Sequence, residues 1–165
     1  MVMAARRRGY TLTEAMLVVA ILGVLATIGP GILLQVNRFF ILSRARSDIQ
    51  REARASMYVI NRNLRQAQSS TIVIDCVSGQ PYYSRITFTK IQGTTISFYQ
   101  SGKNLIQSSG NNAKTLSKNL RYLAFAFPRS DDMTIVSVSL TLEESIYQAQ
   151  TKALHMASER VRIMN

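Results

Sequence analysis

The reading turns on Arg6-Arg7-Arg8-Gly9-Tyr10-Thr11-Leu12-Thr13-Glu14 and the apolar run behind it. Three arginines and a glycine precede a lone carboxylate. No charged residue then occurs over 15–34. At ~1.5 Å of rise per residue, about twenty helical residues reach roughly 30 Å, the thickness of a bilayer's hydrocarbon. A secretory signal peptide has a shorter apolar core, about 7–15 residues, and a small-x-small cleavage site after it. This core is longer, and no such site follows. The arginines would stay on the cytoplasmic side by the positive-inside rule. A single-span membrane anchor is the plainest expectation.

Glu14 adds to that. A carboxylate at the mouth of a membrane helix is costly, and such residues usually have a function. The stretch resembles the prepilin signature of type IV pilins and type II secretion pseudopilins. The resemblance implies that a prepilin peptidase cuts after Gly9. It implies that Tyr10 becomes the N-methylated amino terminus and that Glu14 is the fifth mature residue. Tyr10 stands where the family usually has Phe, and Thr13 where it has an aliphatic residue. Glu14, paired with the α-amine of a neighbouring subunit, would set the stagger between subunits. The other reading is a Glu that snorkels to the interface. Gly23 and Pro30 are candidate weak points, because proline removes a donor and clashes with the carbonyl of Ala26. A tolerated membrane kink explains them equally.

Beyond the span, Ile49, Ala53, Met57, Ile60, Leu64 and Ala67 recur at helical steps of three and four. Asp48 is placed to pair with both Arg44 and Arg51. One helix is predicted over 11–68, about 58 residues or roughly 87 Å. It would be lipid-facing first and amphipathic later. The run from Arg54 to Ala67 and the closing Val161-Arg162-Ile163-Met164-Asn165 resemble W-type minor pilins and J-type minor pseudopilins.

After Gln68 the chain turns to β-branched and aromatic segments at 71–77, 85–91, 95–99, 122–127 and 134–142. Glycines and a proline stand between or beside them. The 108–118 stretch reads as a polar loop. Residues 148–160 fit a helix by propensity, but the resemblance favours an extended end. The expected class is α+β: a long helix packed on one antiparallel sheet of four to six strands, the pilin fold. The expected organisation is a leader over 1–9, an assembly helix over 10–34, an amphipathic helix over 35–68 and a periplasmic β-rich head over 69–165.

The formal charge is +11, which invites nucleic acid as a partner. The cations fall before the span and along one helix: Arg38, Arg44, Arg46, Arg51, Arg54, Arg62 and Arg65. Anionic headgroups or acidic neighbouring subunits suit that placement better, and DNA binding of the competence type is the alternative. Partners implied by the resemblance are prepilin peptidase, other pilins, an inner-membrane assembly platform and lipid. The single histidine, His155, has no ligand partners at metal spacing. Cys76 is expected in a strand as a buried, inert thiol. Asp131-Asp132 and Glu143-Glu144 read as turn and strand-end charges, too few for the six to eight oxygens of a calcium site. No cofactor, metal site or catalytic constellation is expected.

Overall fold

The structure, a computed structural model, describes residues 10–146 and 151–164. The helix α1 runs Leu12–Leu64. By its internal contacts the chain divides after Ile41 into two units. In the first unit, residues 12–41 are helical and nearly all exposed. Apolar residues face outward on every side, as expected of a helix whose solvent is lipid. The stretch is long and apolar enough to cross a membrane.

The second unit begins at Leu42 and carries the core. The predicted stripe holds in full: Ile49, Ala53, Met57, Ile60, Leu64 and Ala67 are all buried. They pack against Phe88, Phe98, Phe125 and Leu140, so this part of the helix lies on antiparallel sheet. The class is α+β, as expected.

Two sheets are present instead of one. Strands β1 (Val73–Asp75), β2 (Arg85–Thr89), β3 (Thr95–Ser101), β4 (Asn104–Ser109) and β5 (Asn112–Ser117) form an antiparallel meander. Strands β6 (Leu120–Ala126), β7 (Ile135–Ile146) and β8 (Thr151–Arg162) form a second sheet, with β7 central. Two backbone hydrogen bonds tie its β6 edge to connections of the first sheet: Leu120 N–H to Lys103 O, in the β3–β4 turn, at 2.8 Å and Phe125 N–H to Tyr83 O, just before β2, at 2.9 Å.

Four further expectations are corrected. The polar loop over 108–118 is mostly the β4–β5 hairpin. It turns at Gly110, whose φ of +56° a side chain would strain. β5 is an edge strand with little burial, so its sequence lacks the apolar alternation that betrays a strand. The helix stops at Leu64 rather than Gln68. Gln66 and Ala67 leave it because Gln66 O accepts Ile91 N–H at 3.2 Å and Ala67 bridges Lys90. Cys76 lies just past β1 and is only half-buried. Asp48 pairs with Arg51 at 3.1 Å, but among the described ion pairs not with Arg44. The C-terminal stretch is extended over 151–162, paired residue for residue with β7. Residues 147–150 lie outside the described residues.

Candidate functional site

Gly9 and the arginines before it lie outside the described residues. The site begins at Tyr10, which precedes the helix and is 91% exposed. Thr11 is the residue just ahead of α1, and Glu14 is the third residue inside it. The first N–H groups of a helix have no partner within it. Here two of them are met reciprocally. Thr11 Oγ1 accepts Glu14 N–H at 3.3 Å, and Glu14 Oε2 accepts Thr11 N–H at 3.0 Å. Thr11 Oγ1 also donates to Glu14 Oε2 at 3.0 Å. This is a capping box, readable as Thr-x-x-Glu ahead of an apolar run. The carboxylate also complements the positive end of the helix dipole. The sequence reading gave Glu14 an intermolecular role and overlooked this local one.

The two roles are compatible. The cap uses Oε2 alone among the described hydrogen bonds. Thr11 N–H remains a peptide N–H if the chain begins at Tyr10. Oε1 stays available to a cation beside the helix end.

Gly23, Gly29, Pro30 and Gly31 all lie within continuous helix, and a Cβ at any of the three glycines would meet nothing within 4 Å. Neighbouring helices could therefore approach the backbone closely here. Proline removes one N–H from the ladder. Nearby, Thr27 Oγ1 donates to Val24 O at 2.8 Å.

In the second unit, Arg54 and Arg62 are exposed on the helix flank around Tyr58, and Arg65 is exposed just past the helix end. They line a groove of about 520 Å³ whose opposite wall holds Glu159 of β8. Asn61 donates to Glu159 across it. The other candidate groups have structural partners. Asp131 accepts from Arg129, and Asp132 Oδ1 accepts Thr134 N–H at 2.9 Å. Glu143 is not a strand-end charge; it lies within β7 and is clamped by Arg121 and by Lys152 Nζ at 2.7 Å. His155 is half-buried on β8, opposite Leu142.

The sequence reading also missed Glu52, which accepts Lys118 N–H at 3.3 Å and Asn119 Nδ2 at 3.2 Å. It ties the helix to the β5–β6 connection.

Comparison with curated proteins and with solved structures yields no significant match. Residues 4–29 carry the prokaryotic N-terminal methylation motif, the type IV pilin signature, at the head of a helix long and apolar enough to cross a membrane.

Proposed function

We propose that the chain is a minor pilin or pseudopilin. It is cut after Gly9 by a prepilin peptidase, N-methylated at Tyr10 and assembled through residues 10–34 into a type IV pilus or type II secretion pseudopilus. The observation that carries this is the methylation motif in register with the capped helix start at Thr11 and Glu14. Such a motif favours a structural subunit over an enzyme. Before assembly the helix spans the inner membrane with residues 1–9 cytoplasmic and the head periplasmic, as Arg6, Arg7 and Arg8 favour.

The chemistry suits the residue types. Cleavage removes three arginines and creates an α-amine beside the apolar span. Glu14 of a neighbouring subunit neutralises that amine where the dielectric is low. Gly23 and Pro30 let the helix adapt to its packed neighbours. The resemblance of residues 54–67 and of the C-terminal end to minor subunits favours filament initiation or tip over the shaft. The assembly platform and other pilins are then its partners.

Site-directed cross-linking in membranes tests this. A photo-cross-linking amino acid placed at Val18 and activated by light should give adducts with other pilins only when a prepilin peptidase is present. A plain membrane anchor gives no peptidase-dependent cross-link.

A further inference from the structure

β8 closes one side of its sheet, and among the described residues nothing pairs with its outer edge. The register fixes which groups point there. Ile163 N–H donates to Thr134 O, and β7 and β8 pair without a shift. Odd-numbered residues of β8 therefore bond to β7. The even-numbered ones, Lys152 to Arg162, direct N–H and C=O outward. Glu143 N–H to Asn119 O, on the far side of β7, agrees with this phase.

Natural edge strands are usually short, bulged or interrupted by proline. β8 has 12 residues, no bulge and no proline. Its charges stand toward its ends, at Lys152 and at Glu159, Arg160 and Arg162; Glu159 is held by Asn61. Between them Leu154 and Met156 are exposed, at 56% and 72%. The arginine-lined groove runs beside the same strand. Arg54, Tyr58 and Arg62 follow one flank of the helix at steps of four, and Arg65 comes directly after its last residue.

We propose that the β8 edge accepts an extended acidic segment of another protein as a fourth strand. Its backbone would satisfy the outward groups of β8. Its inward carboxylates would face Arg54, Arg62 and Arg65, and its apolar residues would lie beside Leu154 and Met156. A nucleic acid would leave the outward N–H and C=O row unused. It would also find one aromatic, Tyr58, to stack on. The proposal is independent of the filament reading, since it concerns the second unit alone.

The test uses the full chain in detergent micelles and a ten-residue peptide alternating Glu and Val. Amide hydrogen exchange is read by NMR. The peptide should slow exchange at Leu154, Met156 and Ser158, whose N–H groups otherwise face solvent. Arg62→Glu or Arg65→Glu should weaken peptide binding about tenfold or more. A peptide N-methylated on its edge-facing amides should not bind. Met156→Pro, which removes an outward N–H and no ladder bond, should weaken binding while β7–β8 protection persists. Unchanged exchange at the three amides overturns the proposal. So does equal binding of the N-methylated peptide. Protection by single-stranded DNA but not by peptide, or protection that rises with protein concentration alone, also overturns it.

Discussion

Glu14 Oε2 accepts the Thr11 N–H at 3.0 Å while Thr11 Oγ1 accepts the Glu14 N–H at 3.3 Å. One carboxylate thus caps the helix through Oε2, and among the described hydrogen bonds Oε1 takes no part. The two roles separate by substitution. Glu14→Gln retains the cap, because glutamine serves equally in a capping box, but loses the charge. Glu14→Ala loses both. We expect both variants to fail in cross-linking to other pilins. Only Glu14→Ala, like Thr11→Ala, should also fray the helix start, at a cost of about 1 kcal/mol. Normal assembly of Glu14→Gln would reduce Glu14 to a capping residue.

The two sheets are joined by a side chain that acts as backbone. Gln100 of β3 is buried; its Oε1 accepts Leu123 N–H at 3.1 Å and its Nε2 donates to Arg121 O at 3.3 Å. Gln100→Leu removes the partner of the buried Leu123 N–H and one donor to Arg121 O. The expected loss is about 1–3 kcal/mol, read as a lower urea midpoint by near-ultraviolet circular dichroism. An unchanged midpoint would mean that water replaces the glutamine.

The helix stripe should dominate the stability of the second unit. Ile60 is fully buried, whereas Tyr58, two residues earlier, is 66% exposed. Ile60→Ala should cost about 2–5 kcal/mol through lost burial and the cavity left behind. Tyr58→Ala should cost well under half of that. Equal losses would place Tyr58 in the core.

Acid should destabilise the second unit. Lys152 and Arg121 hold the Glu143 carboxyl below its ordinary value. Arg85 does the same for Asp75, and the Thr134 hydroxyl and N–H for Asp132. Each favours the ionised form in the folded state. Their stabilisation is therefore complete above the ordinary carboxylate range and is lost as pH falls through the lowered folded values, from about pH 5 downward. Glu143→Gln should flatten the acid limb of the urea midpoint against pH. An unaltered limb would assign it to other carboxylates.

Local periodicity made the helix legible. Residues 49–67 show their buried face because one side meets core and the other water. β7 alternates for the same reason. The hairpin over 104–117 was hidden, since its outer strand is wet on both faces and patterning has nothing to record. β8 was ambiguous because its twelve pairings with β7 are long-range, and local propensity does not sense them. The helix end at Leu64 is set by the capture of Gln66 by Ile91, again a distant contact. At the candidate site the charges and glycine were legible in order. The cap was also written in the sequence, as Thr11-x-x-Glu14.

Intact mass reports whether the chain is cut after Gly9. The full chain and its Gly9→Ala variant are each co-expressed with a prepilin peptidase and purified from membranes. The parent is expected to lose residues 1–9 and to gain one methyl group on Tyr10. The variant should keep its full length. Identical, unprocessed masses for both would contradict the cut after Gly9.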